Sequence, residues 1–297
     1  MISVLICSAN DFYLRQIRDN IEQTIGVEHE VLSFDNSKER RGICAVYNLL
    51  AAKAKFPYLC FVHEDIVFET TDWGVIINEI FSQRTDIGVI GVAGSKYKSK
   101  LFSGWFSGIH KFDCANITHQ YSYGSELIYL HPDKQRFIED VVCVDGVFIC
   151  CRQSIWEKLK FNEDQLHGFH FYDIDFSINA SMLCTVAVTY LIRIVHITRG
   201  GDFGNSWVEA AIEYHSLARN KLPYTKLISY SVPDELKISS TWLDILKNYK
   251  ISWKNKIKWI TIQRLHYSPV LYYSMAKFLF YTPFGLKHMH KLFRKVR

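Results

Sequence analysis

The chain has 297 residues, 48% hydrophobic and 22% charged, with six Pro, fifteen Gly and eight Cys. This composition excludes a fibrous, disordered or disulfide-scaffold chain, and the length suffices for one large domain or a domain with an appendage. The net charge of +5 is unevenly spread. Residues 241–297 hold twelve Lys/Arg against one acid, Asp244, a net +11, whereas the first 240 residues hold 23 Lys/Arg and 29 Asp/Glu, a net −6. An acidic body therefore carries a basic, aromatic tail.

Residues 2–7 form an apolar run with no basic segment before it and no cleavage site after it. That pattern predicts a strand rather than a signal peptide. Over 11–25, Leu14, Ile17, Ile21 and Ile25 have helical spacing. Residues 30–34 read as a strand, 42–54 as a helix, 58–62 as a strand, 72–81 as a helix and 87–92 as a fourth strand. Apolar strands alternating with helices predict a doubly wound α/β layer with a mainly parallel sheet. Ligands of such sheets bind beyond the carboxyl ends of the strands. Here those ends carry Ser8, Asp35, His63, Glu64 and Asp65.

Residues 94–140 read as a loop-rich, mobile, aromatic segment on the acceptor side, containing Trp105. Residues 141–151 read as one strand interrupted by Asp145 and Gly146, 154–159 and 172–182 as helices, 185–195 as a strand ending at His196, and 206–220 as a helix. No run reaches the ~18 apolar residues of a membrane-spanning helix, and no C-x-x-C spacing suggests zinc or thiol redox chemistry. The chain reads as cytoplasmic.

Three segments carry chemistry. Residues 58–66 are a buried strand that ends in acids, a geometry suited to a divalent ion shared with phosphate oxygens. A solvated turn after an edge strand accounts for the same residues. Residues 168–176 place Asp173 and Asp175 at the start of a helix beside His170 and several aromatic rings. Helix capping explains one of these acids, and a carboxylate with raised pKa suited to a general base explains the other. His196 ends a strand ahead of the pair Gly200 and Gly201, where it completes a metal site or is structural. There is no G-x-G-x-x-G, no P-loop and no nucleophile elbow, which removes dehydrogenase, P-loop and hydrolase readings.

Together these residues resemble a GT-A glycosyltransferase of the broad family-2 group, in a bacterial branch with H-x-D in place of D-x-D. The resemblance rests on residues 61–65, 145–148, 161–163 and 168–175 and spans roughly 1–210. It implies a Rossmann-like sheet flanked by helices over 1–222, with a nucleotide-binding half to about 95 and an acceptor half over 96–222. A basic helical appendage follows over 223–297. It also implies transfer of a sugar from a nucleotide diphosphate sugar to an acceptor hydroxyl, inverting and assisted by Mn²⁺ or Mg²⁺, in surface polysaccharide synthesis. Asp173 is then the catalytic base, and Asp65 and His196 bind metal. Ser8, Asp35, Asn48, His63, Glu64, Asp145 and Gly146 face the nucleotide or donor sugar. Trp105, His170 and Asp175 face the saccharide or lipid-linked acceptor. The reading requires Asp35, Asp65 and Asp173 to converge on one cleft.

Two other readings stay open: a nucleotidyltransferase on a similar layer, and a nucleotide-sugar-binding protein without catalysis. The basic tail reads as lying on an anionic membrane at the inner face of the cell membrane, or as a helical appendage with a solvated basic face. It is too apolar for a nucleic-acid arm.

Overall fold

The computed structural model of the chain describes residues 1–197 and 203–281. Residues 198–202, with the pair Gly200 and Gly201, and the last residues of the basic tail, 282–297, lie outside the described residues.

The first half alternates as its hydrophobic pattern requires: β1 (Ile2–Ser8), α1 (Asp11–Thr24), β2 (His29–Asp35), α2 (Ile43–Ala51), β3 (Tyr58–His63), β4 (Ile66–Phe68), α3 (Trp73–Gln83) and β5 (Ile87–Gly91). Asn10 starts α1 by accepting from the Phe12 and Tyr13 amides. This capping satisfies donors that the first turn leaves open. There follow β6 (Ala93–Ser95), β7 (Asp113–Tyr121), β8 (Gly124–Leu130), β9 (Ile138–Val141), β10 (Cys143–Val144), β11 (Phe148–Arg152), α4 (Gln153–Leu159), α5 (Tyr172–Ser181), β12 (Thr185–Thr189), β13 (Ile194–Ile197) and α6 (Asn205–Leu217). The chain then turns helical, with α7 (Val232–Leu246), α8 (Trp253–Ile262), two 3₁₀ turns and α9 (Tyr272–Phe280).

The strands form two sheets. The larger has the order β2-β1-β3-β11-β5-β12-β9. Five of its strands are parallel, and β11 and β9 run against them. The mainly parallel, helix-flanked α/β layer expected from the sequence is thus present, with an antiparallel strand at its centre. Side chains alternate across it. Leu5, Leu59, Phe61, Ile149 and Val188 face one buried cluster with α2 and α4 to α9. Val4, Ile6, Cys60, Val62 and Ala187 face the other, with α1 and α3. The eight cysteines are free, packed as small hydrophobes.

The smaller sheet, β10-β6-β7-β13-β4 with β8 on β7, corrects the sequence reading twice. Residues 94–140 are not mainly loop: they supply β6 to β9, including a long β7–β8 hairpin. Its outer strand opens with Gly124, Ser125 and Glu126, and Leu127 and Tyr129 on it are exposed, so its apolar run is only four residues long. The single strand expected over 185–195 is two, β12 in the large sheet and β13 in the small one. Hydrophobicity continues across the break because both pieces are half buried or better.

The C-terminal helices share the core of the large sheet: Trp242, Leu243, Trp259 and Phe278 belong to its cluster. Polar contacts reinforce that junction. Buried Glu235 of α7 accepts from the Tyr97 hydroxyl and from Ser99 Oγ at 3.0 Å. Beside it, fully buried Lys98 donates to Ser103 Oγ at 2.8 Å and to His215 Nε2 at 2.9 Å. His215 Nδ1 is matched to the Ala211 carbonyl at 2.7 Å. Removing the Glu235 carboxylate leaves two buried donors without acceptors, a loss of about 2–4 kcal/mol. Glu235→Ala is therefore expected to lower the urea midpoint of unfolding clearly, and Glu235→Gln, which keeps one acceptor, to lower it less.

Candidate active site

The chain passes between the two sheets several times, and two of these crossings matter here, one from the large sheet to the small between β3 and β4 and one from the small to the large between β10 and β11. The first crossing carries His63, Glu64 and Asp65; the second carries Asp145 and Gly146. Backbone bonds lock the crossings together: the His63 amide donates to Val147 O at 3.2 Å and the Asp145 amide to Ala93 O at 2.9 Å. Strand pairing adds the next residue. β13 runs antiparallel to β4 with His196 opposite Ile66, and the Ile197 amide donates to Asp65 O at 2.8 Å. His196 therefore stands beside Asp65, its Nε2 3.4 Å from Oδ2.

His63, Asp65 and His196 each offer a ligand atom, all within 4.8 Å of one another. The hydrogen bonds assign the His63 tautomer. Tyr172 hydroxyl donates to Gly146 O at 3.0 Å, so it accepts from His63 Nε2, also at 3.0 Å. His63 Nδ1 then carries a lone pair, 4.0 Å from Asp65 Oδ1. An imidazole oriented through its other nitrogen is how proteins prepare a metal ligand. Two imidazoles and one carboxylate fit a divalent cation. Burial raises the pKa of Asp65, but the hydrogen bond and charge of His196, followed by His63, outweigh it and hold the carboxyl below its usual range. Burial also lowers the pKa of His63, keeping it neutral as a ligand must be.

Asp173 sits in the first turn of α5. Phe171 enters that helix with a left-handed φ of 68°, a strained conformation for an aromatic residue. Packing against Tyr214 and Trp207, at ring distances of 5.1 and 5.3 Å, holds it there. Asp173 Oδ2 accepts from the Gly146 amide at 2.9 Å. Burial, then the charge of Asp145, pushes the Asp173 carboxyl up to about 7. Asp145 is fixed by Trp105 Nε1 and by the Val147 amide at 2.8 Å. Gly146 has no substitute: a Cβ there would lie 2.2 Å from the Tyr172 hydroxyl.

These groups line one cavity of about 300 Å³. Its walls include His63, Trp105, Asp145, Gly146, His170, Asp173 and His196 from the sequence reading, and Asp65 is paired with both of those histidines, His63 and His196. Trp207 and Trp242, stacked at 4.7 Å, close one side.

Five predicted residues lie elsewhere. Ser8, Asp35 and Glu64 form a polar edge at the carboxyl ends of β1 to β3. There Glu64 accepts from Ser8 Oγ and from the Ala9 and Asn10 amides at 3.1 Å. Exposed Asp35 accepts from the Ser37 amide at 2.9 Å, and that contact with Ser37 holds its pKa below the usual value. Of the three acids expected to converge, Asp173 lines the cavity, Asp65 pairs with His63 and His196 of its wall, and Asp35 lies outside the lining. Asn48 is a correction. It is buried, donates to Phe161 O at 2.8 Å, and accepts from Trp156 Nε1 and the Phe161 amide. It braces α2 against α4 rather than facing a ligand. Asp175 is a second correction. Two positions along α5 rotate it ~200° from Asp173, so it leaves the cavity and meets Asn179 at 3.2 Å.

The sequence reading missed Tyr172, which links both crossings, and His119. The latter stands opposite His196 in the β7–β13 register and lines the cavity. Its pKa is lowered to about 4, first by burial and then by His196, and its buried Nδ1 has no partner. Only strand register brings it there, and no local motif announces it.

The glycosyltransferase-like family matches residues 3–201 of the chain. No curated protein matches it. Among solved structures it is similar to GalNAc-T7 with UDP, GalNAc and Mn²⁺, at 11% identity, covering 91% of this chain and 58% of that one, with a TM-score of 0.49. The mannosyltransferase PcManGT from Pyrobaculum calidifontis, in complex with GDP-Man and Mn²⁺, is 12% identical, with 94% and 84% covered and a TM-score of 0.47. TarS from S. aureus is 13% identical, with 99% and 54% covered and a TM-score of 0.47.

Calorimetric titration with Mn²⁺ tests the cluster. Asp65→Ala and His196→Ala are each expected to weaken binding by at least ~10–100-fold, the range that even outer contacts command, whereas Asp175→Asn should bind like the wild type.

Proposed function

This chain belongs to the glycosyltransferase-like family that matches its residues 3–201, and from that premise we propose that it moves a hexosyl group from a nucleotide diphosphate sugar to an acceptor hydroxyl with inversion at the anomeric carbon. The observation that carries this reading is Asp173, a buried carboxyl raised to about 7 on the wall of a cavity that also holds His63 and His196. A general base works best with a pKa near the operating pH. Asp173 takes the proton of the acceptor hydroxyl as its oxygen bonds to the anomeric carbon and the bond to the leaving diphosphate breaks.

The other residues follow from their positions. His63, Asp65 and His196 would hold a divalent cation, Mn²⁺ in preference to Mg²⁺, because two of the three ligands are imidazoles. Bound there, the ion supplies positive charge against the leaving diphosphate. Ser8, Asp35 and Glu64, on the carboxyl edge of β1 to β3, face the nucleotide. Asp145, held by Trp105 and the Val147 amide, accepts hydrogen bonds from the donor sugar. Trp105, Phe169 and Trp207 offer ring faces to a saccharide acceptor. We place the product in surface polysaccharide synthesis on the same reading, with the donor drawn from the cytoplasm.

Asp173→Asn is expected to reduce transfer by ~10²–10⁴-fold, the usual weight of a positioned base, while nucleotide binding by calorimetry survives. If transfer persists near the wild-type rate, the base is elsewhere. In the wild type the base must be ionised, so turnover should climb with pH up to about 7 and level off above it.

The same carboxyl leaves a mark on stability. Its folded pKa is raised from 3.8 to about 7, so between those values the folded state binds the extra proton. Stability should then decline as pH rises through that window. Thermal unfolding of Asp173→Asn should lack this decline, which separates loss of the base from loss of the fold.

A further inference from the structure

A second feature stands apart from the cavity. On α8 the exposed residues are Trp253, Lys254, Ile257, Lys258, Thr261 and Ile262, while Asn255, Lys256, Trp259 and Ile260 are buried. The exposed set recurs at the spacing of one helical face. On α9 Tyr272, Tyr273, Ala276 and Phe280 are exposed, and Ser274, Met275 and Phe278 are buried. Tyr273 and Phe280 are 71% and 73% exposed, and Tyr267 and Val270 in the intervening turns 75% each. The rings of Trp253 and Phe280 lie 5.7 Å apart, joining the two faces. A solvated helix face does not ordinarily carry so much apolar surface.

Charge selects the occupant. Residues 245–281 contain seven Lys/Arg and no acid, and the sequence beyond adds five more Lys/Arg, again with no acid. Lys250, Lys254, Lys258 and Arg264 are exposed. A second copy of the same face would set lysines against lysines. A nucleic acid would satisfy the cations but leave Ile257, Ile262 and Val270 without a role. Aromatic and aliphatic side chains between lysines match the headgroup level of an anionic bilayer. Among the described residues no helix is long and apolar enough to cross a membrane, so contact is made from the surface.

We propose that the outer face of α8 and α9, with the turns between them, docks on an anionic lipid bilayer. The same helical unit walls the cavity through Trp242 and Ile245 of α7. Docking therefore fixes the cavity relative to the lipid surface and favours a lipid-linked acceptor, a consequence that rests on the transferase reading while the docking itself does not.

The test is co-sedimentation of the full chain with vesicles of phosphatidylcholine alone and of phosphatidylcholine with phosphatidylglycerol, at low and high salt. Binding is expected only to the anionic vesicles and should be released by salt. Lys254→Gln with Lys258→Gln should weaken it by about 25-fold, roughly fivefold per lysine. Trp253→Ser with Phe280→Ser should weaken it at least ~10-fold through lost apolar insertion. All four positions are exposed, so circular dichroism and nucleotide binding should match the wild type. The proposal is overturned by absence of anionic-vesicle binding, by equal binding to neutral vesicles, or by variants that bind as the wild type does. It is also overturned if the variants instead abolish self-association in light scattering, or binding to a nucleic-acid oligonucleotide, in a chain that ignores vesicles. None of these readouts depends on turnover, so a failed transferase assay leaves the result intact.

Discussion

The Tyr172 hydroxyl is the joint of the site. It donates to Gly146 O and accepts from His63 Nε2, tying two of the places where the chain crosses between sheets to the start of α5. Burial drives the phenol's pKa far up, so it stays a neutral donor. The contact requires glycine at 146, where any Cβ would collide with the tyrosine oxygen. From this one contact follow the tautomer of His63, the lone pair its Nδ1 turns toward Asp65, and the position of Asp173, the next residue along the helix.

Around that joint the protein drives two carboxyls in opposite directions. Asp65 lies among imidazoles and is held charged, whereas Asp173 lies in an apolar wall beside Asp145 and is held near neutrality. Pairs of acids separated in this way divide the work of binding a cation and moving a proton. The aromatic enclosure raises Asp173, and part of that enclosure comes from α7, whose Trp242 donates to Phe106 O at 2.8 Å. The C-terminal helices are thus packed into the core that supports the site.

Much of the sheet was legible because buried parallel strands are continuous apolar runs, and because charged residues at their ends interrupt those runs abruptly. His63, Asp65 and His196 were found in this way, Asp145 where it interrupts such a run, and Asp173 at the start of a helix beside aromatic residues. The β7–β8 hairpin escaped the same test, since a strand with an exposed face dilutes its apolar residues with polar ones. Asn48 and Asp175 were misplaced for a related reason. An Asn in an apolar helix and an acid in a first turn look alike whether they face a ligand or a neighbouring segment, and only the direction of the side chain separates the cases.

Local chemistry alone determined that this chain builds an α/β layer with acids at its carboxyl edge and a cationic, aromatic end. Hydrophobic period and charge act over a few residues and need no knowledge of distant partners. Tertiary structure decided which of those acids meet. Strand register set His196 beside Asp65 and His119 beside His196, the antiparallel β11 returned Gly146 to Tyr172, and burial moved the proton affinity of Asp173. Each of these depends on residues tens to more than a hundred positions apart, and desolvation is a property of the assembled surroundings that no short stretch of sequence carries.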